Sequence, residues 1–207
     1  MGFNFFQQSV ILFLVIGLLA SPISRANDPD IISDFIIPPN SNATIDENFF
    51  TYTGMRGLLD FSTILTTLKL TKASMNEFPA LNGQTVSMTL LQIPEGGLNP
   101  PHVNSRSAGL LFMLDGCIEV GLVDTTNKFY KQNLCRGDMF LFPKGLVHYQ
   151  FNAYAKGATA VAAFASAISG TFQIPVSVFT SGIDDDVLAK SFKTDAETIQ
   201  KIKDGLA

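Results

Sequence analysis

Positive charge is scarce in this sequence, with 14 basic residues against 18 acidic in 207, and the basic ones never gather into anything longer than Lys201-Ile202-Lys203. A surface that tracks phosphates needs Lys and Arg interleaved with aromatics, so no nucleic-acid partner is expected. Long apolar runs are equally scarce. The single one, Val10 to Ala20, is shorter than the ~20 residues of a spanning helix, and no second run follows. Also missing are a Gly-rich phosphate loop, a Ser-His-Asp order with a strained elbow, an internal repeat and a low-complexity segment. Histidine and cysteine are limited to two each. Chemistry that needs imidazole or thiol therefore rests on His102, His148, Cys117 and Cys135.

What is present describes a globular chain. A content of 46% hydrophobic and 15% charged residues suits one domain able to bury a core. The first segment differs in kind: Val10 to Ala20 is followed by Ser24-Arg25-Ala26, small residues at the −3 and −1 places of a cleavage site, which reads as a secretory signal over residues 1–26. A membrane anchor is the competing reading. Without the signal the chain keeps 13 basic and 18 acidic groups, since only Arg25 is lost. Asn42-Ala43-Thr44 is an N-glycosylation sequon with Asn42 as acceptor, meaningful in a secreted chain. Residues 27–50, rich in Pro, Asn, Asp and Ser, read as an extended arm, and Phe35-Ile36-Ile37 argues that it lies across a neighbouring surface.

From residue 51 to 180 the pattern is one of short β-type runs. Ser62 to Lys72, Thr85 to Ile93, Leu110 to Leu114, Phe140 to Phe142, Val147 to Phe151, Ala158 to Ala165 and Thr171 to Phe179 are predicted strands, Leu110 to Leu114 buried on both faces. Cys117 to Val123 and Phe129 to Cys135 form a hairpin about Asp124-Thr125-Thr126-Asn127. Many short strands broken by Gly and Pro imply an all-β sandwich or barrel. Residues 181–207 change to helical spacing, over Asp184 to Phe192 and Asp195 to Ile202, with a capping box from Thr194 to Glu197 and Gly205 as a stop.

Both histidines lie between Gly96 and Asn152, and a small barrel brings the two halves of that stretch together across its interior. Two imidazoles are half a metal site. Gly97-Leu98-Asn99-Pro100-Pro101-His102 and Phe142-Pro143-Lys144-Gly145-Leu146-Val147-His148-Tyr149-Gln150-Phe151-Asn152 resemble the two-part motif of the germins and germin-like proteins, secreted plant cupins, and the likeness runs over nearly the whole mature chain. The resemblance implies a cupin jelly-roll barrel with an N-terminal arm and C-terminal α-helices. It implies an apoplastic or cell-wall protein forming a homo-oligomer, a hexamer built as a trimer of dimers, with arm and helices at subunit contacts. It also implies manganese chemistry of the oxalate oxidase or superoxide dismutase kind.

The family's manganese ligands are His-x-His, a following Glu, and the histidine of the second motif. Here His102 and His148 match, Asn104 replaces the second histidine, and Gly109 replaces the glutamate. Manganese is a hard, weakly bound ion that relies on carboxylate and imidazole to displace water. With its one carboxylate gone, the site is expected to bind manganese poorly and to carry little or no activity. Copper or zinc on the two histidines stays open, as does a manganese oxidoreductase with a remodelled ligand set. A binding role is the leading expectation, with Asn99, His102, Asn104 and His148 lining a small polar pocket for a neutral or anionic ligand.

The family's disulfide in the arm has no counterpart, because Ile36 stands at its first cysteine. A hairpin turn centred between Thr125 and Asn127 instead sets Cys117 opposite Cys135, on the face of Glu119, Lys131 and Asn133. A bridge and a pair of packed free thiols both satisfy that placement. Arg136-Gly137-Asp138 resembles an adhesion tripeptide, but turn geometry at Gly137 explains it.

Overall fold

The computed structural model describes residues 28, 30–39 and 45–206. The signal segment and Asn42 lie outside the described residues. Two five-stranded antiparallel sheets face one another, one in the order β1-β2-β9-β4-β7 and the other β10-β3-β8-β5-β6. The first is built from β1 (Lys69–Ala73), β2 (Ser87–Ile93), β4 (Gly109–Asp115), β7 (Met139–Phe142) and β9 (Ala158–Phe164). The second contains β3 (Leu98–Asn104), β5 (Cys117–Val123), β6 (Phe129–Cys135), β8 (Val147–Phe151) and β10 (Thr171–Gln173). Strands consecutive in the chain mostly fall in different sheets, the long-connection wiring of a jelly roll.

Alternation sets what the sheets enclose. Leu91, Ile93, Leu111, Met113, Phe142, Ala160, Ala162 and Phe164 point inward from the first sheet to meet Ile118, Val120 and Leu134 of the second. That part of the interior is apolar. Toward the other end the second sheet turns polar, with Asn99, His102, Asn104, His148 and Gln150 all buried. Such polar groups persist inside only where hydrogen bonds satisfy them.

The β5–β6 hairpin follows the sequence closely. Asp124 Oδ1 accepts from the Thr126 amide at 2.8 Å and the Lys128 amide at 2.9 Å, closing the loop, and Asn127 takes the left-handed conformation at φ 63°. Cys117 pairs with Cys135 in register, and the two form a disulfide with Cα atoms 4.1 Å apart. Glu119 and Lys131 lie on the same face and form an ion pair at 2.5 Å.

Several expectations need correction. Of Ser62 to Lys72 only the end pairs as β1; Asp60 holds the Ser62 amide and hydroxyl in a turn. Thr171 to Phe179 is strand only to Gln173, after which α1 (Ile174–Phe179) begins with Pro175 in its first turn. The alternation Ile174, Val176, Val178 suggested a strand, but proline is well suited to a first helical turn, where its missing N–H costs nothing. Leu110 to Leu114 is buried on one face only: Leu111 is 1% exposed and Leu110 44%.

The two C-terminal helices are α2 (Asp185–Phe192) and α3 (Ala196–Leu206). Asp184 caps α2, and the cap of α3 is Asp195 rather than Thr194, its carboxylate accepting from the Thr198 amide at 2.8 Å. Gly205 does not stop α3, which runs on to Leu206. Leu188, Ala189 and Ile199 form a small core of their own with Val178 and Phe179. Within the arm Phe35 packs against the rings of Phe49 and Phe50, and the arm meets the rest of the chain where the Asp34 carbonyl accepts from Gln84 at 3.0 Å.

Candidate metal centre and barrel cavity

His102 and His148 meet, but as neighbours within one sheet and not across the interior. β3 and β8 place them directly opposite one another in register, and their ring centroids stand 4.2 Å apart. Pro100 and Pro101 lie inside β3, where they cannot donate to the ladder, and the register shifts between Asn99 and His102 to accommodate them. That irregularity brings Asn99, His102 and Asn104 together on the inner face.

Hydrogen bonds decide which nitrogen each histidine offers. His102 Nδ1 lies 2.7 Å from the Pro100 carbonyl, and His148 Nδ1 lies 2.8 Å from the Leu146 carbonyl. A carbonyl oxygen only accepts, so both Nδ1 atoms carry the proton and both Nε2 atoms keep a lone pair. Burial lowers the pKa of His102, and burial together with the neighbouring His102 lowers that of His148 to about 4. Phe142 stacks on the His148 ring at 4.3 Å. Both rings are therefore neutral near pH 7.

Asn104 is fixed by these lone pairs. Its Nδ2 stands 3.3 Å from His148 Nε2, an acceptor, while its Oδ1 accepts from the Thr171 hydroxyl at 2.6 Å. The amide presents its N–H₂, not its carbonyl, to the histidine. Thr171, on the short strand β10, was not singled out from sequence; alternation along a strand beside β3 is the only signal that points to it. Asn99 and Gln150 both line the cavity, and Asn99 donates to Gln150 Oε1 at 2.7 Å.

The cavity has about 50 Å³ of free space. Its walls combine these polar groups with Leu70, Leu91, Leu111, Phe142 and Phe164. Among the described residues Lys72 of β1 is the one charged side chain in the lining, and no carboxylate is part of it. Gly109 lines it without a side chain. Among the described residues no group of three or more His, Cys, Asp and Glu is placed to hold a metal ion.

These residues do not fit manganese. Two neutral imidazoles remain, the amide oxygen of Asn104 is engaged by Thr171, and the negative charge a hard divalent ion needs is gone.

Two facing sheets with paired histidines at one polar end define a cupin, and residues 65–200 match the cupin family model. The chain belongs to the germin-like proteins of that family: it is 51% identical to germin-like protein 9-3 of Oryza sativa subsp. japonica over 206 residues, 96% of each chain. It is 35% identical to a rhicadhesin receptor of Pisum sativum, over 86% of this chain and 81% of that one. Among solved structures it resembles an oxalate oxidase with TM-score 0.78 and 28% identity, covering 87% of this chain and 98% of the other. No helix among the described residues is long and apolar enough to cross a membrane.

Proposed function

We propose that this is a secreted germin-like cupin of the plant apoplast and cell wall that has set aside manganese redox chemistry and serves as a binding or structural protein, in a defence-related setting. One observation carries the reading. Where the family has a third imidazole and a carboxylate, this barrel has an amide turned with its N–H₂ toward His148, and a glycine. The relative called a rhicadhesin receptor supports a binding role, and the apolar run Val10 to Ala20 followed by Ser24-Arg25-Ala26 supports secretion. Assembly into a dimer-based homo-oligomer, in the hexamer form, is supported by the apolar outer face of the first sheet, where Met88, Leu110, Met139 and Leu141 are exposed.

A second reading, a manganese-dependent oxidoreductase, draws on the likeness to oxalate oxidase. It requires a ligand from outside the cavity lining. Elemental analysis of the purified, secreted protein after dialysis against a metal-buffered solution separates the two. Negligible manganese with an intact fold is the expected result; one manganese per subunit would overturn the reading and call for oxidase and dismutase assays.

A further inference from the structure

The outer face of the first sheet turns polar at one end. Register carries Met88, Ala163 and Leu110 across its apolar end and, further along the same strands, Gln92, Thr159 and Asp115. Ala158 and Ala160 belong to the core, so alternation turns Thr159 outward. Thr159 is nevertheless only 4% exposed. Its cover is the chain segment that precedes β1. The Leu58 carbonyl of that segment accepts from Gln92 Nε2 at 3.1 Å, and Leu65 lies so close to Gly157 that a Cβ there would stand 3.0 Å from Leu65 Cδ1. Gln92 is thus satisfied beneath the segment. Thr159 is not: among the described residues its hydroxyl has no hydrogen-bond partner. Ser107 holds the one sealed side-chain oxygen that lacks a partner, so Thr159 Oγ1 opens into the cleft that Thr159 lines.

That cleft has about 490 Å³ of free space, against about 50 Å³ beside the histidines. Pockets of ~300–1,000 Å³ suit a small organic molecule. The wall carries three carboxylates, Asp60, Glu95 and Asp115, and one ammonium, Lys156. That balance repels an anion. Asp60 is already engaged by the Ser62 amide and hydroxyl, whereas Glu95 and Asp115 have no side-chain partner among the described residues. No three His, Cys, Asp or Glu among the described residues are placed to hold a metal ion, so the negative charge is spread along the wall and not focused at a point. The covering segment adds Phe61, Ile64 and Leu65, of which Phe61 is 44% and Ile64 86% exposed. An occupant matched to this wall needs cationic N–H groups set apart by an apolar stem.

We propose that the cleft binds an aliphatic diamine or polyamine, its ammonium groups donating to Asp115, Glu95 and the Thr159 hydroxyl and its methylene stem lying on Ile64 and Leu65. The cleft shares no lining residue with the histidine cavity, so the proposal stands whether or not that cavity is metal-free.

The test is isothermal titration calorimetry of the full-length secreted protein with putrescine and spermidine, and with butylamine, glucose and calcium chloride for comparison. Both polyamines are expected to bind saturably, with butylamine at least about tenfold weaker because it has one ammonium to offer. Asp115→Asn and Glu95→Gln should each weaken putrescine at least about tenfold, the effect of losing a hydrogen bond to a charged group. Thr159→Val should weaken it about fivefold, and Lys156→Gln, which removes a like charge, should tighten it a few-fold. These substitutions nearly keep side-chain shape, and near-ultraviolet circular dichroism checks the fold. No saturable heat with either polyamine at millimolar concentration overturns the proposal, and so does binding that both carboxylate variants leave unchanged. Glucose or calcium binding in place of the amines would make the cleft a polyol or metal site and overturns it as well. The wild type alone supplies a second check, in which putrescine should slow amide hydrogen exchange in residues 60–65 and 155–159. Protection confined to other segments would count against the cleft. Stoichiometric manganese on the histidines would defeat the metal-free reading and leave every one of these results unchanged, which keeps the two failures apart.

Discussion

Thr171 Oγ1 donates to Asn104 Oδ1 at 2.6 Å, and this one bond turns the amide nitrogen of Asn104 toward His148. Asn104 is 3% exposed, so its oxygen has little access to water when the hydroxyl is removed. Thr171→Val, close in shape, should cost about 1–3 kcal/mol, the range for leaving a buried acceptor unsatisfied. Thr171→Ser should recover most of it. Chemical denaturation of the three proteins checks the pair, and equal midpoints for Val and Thr would mean the bond does not hold Asn104.

Acid should loosen this barrel well before its carboxylates titrate. His148 titrates near 4 in the folded chain against 6.5 ordinarily, so the unfolded state binds the proton first as pH falls. Stability is full above pH 6.5, declines as pH drops toward 4, and the loss amounts to about 3 kcal/mol for His148 once both states are protonated. His102, lowered in the same direction by burial, adds to the slope. Melting temperatures between pH 7.5 and 4 should fall steeply in the wild type and less steeply in His148→Gln. Parallel curves would remove His148 as the source.

The histidine pair was legible because its motif is local: prolines fix the chain before His102, and a Pro-Lys-Gly turn leads into His148. What the sequence did not disclose is how the pair is satisfied. Thr171 and Phe164 reach the cavity through β10 and β9, strands whose sheet partners depend on long connections, and neither residue type announces a site. The hairpin from Cys117 to Cys135 was readable to single-residue register, since turn and alternation there agree. The segment after Gln173 was not, because period-2 spacing of Ile174, Val176 and Val178 coincides with a short helix that starts at a proline. Leu110 misled for a further reason: an apolar run buried on both faces and one with an exposed apolar face look alike in sequence.

The Cys117–Cys135 bridge should matter to stability more than its surface position suggests. It closes a loop with a sequence separation of 18. Loop-closure entropy for about that length corresponds to roughly 3 kcal/mol. Replacing both cysteines by alanine should lower stability by up to that amount while the seven-pair β5–β6 ladder keeps the fold. Denaturation of the wild type with and without reductant should show the same difference. Two free thiols in a labelling assay of the unreduced protein would contradict the bridge itself.

Asp28 ties the start of the arm to the barrel. Its carboxylate accepts from the Ser166 hydroxyl at 2.6 Å and from the Ala167 amide at 2.5 Å. Ser166 has a second acceptor in the Ile168 carbonyl at 2.8 Å, so the loss in Asp28→Ala falls mainly on the amide. Bonds to a charged group are worth about 1.5–3 kcal/mol, and that is the expected destabilisation. Hydrogen exchange should show the Ala167 amide opening faster in the variant, whereas unchanged protection there would mean that Asp28 does not hold this turn.

The outer face of the first sheet is the last relationship with a measurable consequence. Register lines Met88 and Leu110 up on either side of Ala163, sets Leu141 against Leu110, and sets Met139 against Phe112, so apolar side chains run continuously over four strands. Met139 and Leu141 are 61% and 56% exposed. A contiguous apolar face of this kind is uncommon on a chain that works alone, because monomers rarely leave patches above a few hundred Å² in water. Leu110→Asp together with Leu141→Asp puts two charges at the centre of the face without touching the cavity, since both side chains point away from the core. Light scattering should then show a smaller assembly than the wild type, with circular dichroism unchanged. An unaltered mass would place the subunit contacts elsewhere, and the exposed apolar residues of the C-terminal helices, Val187, Phe192 and Ile202, would become the face to charge next.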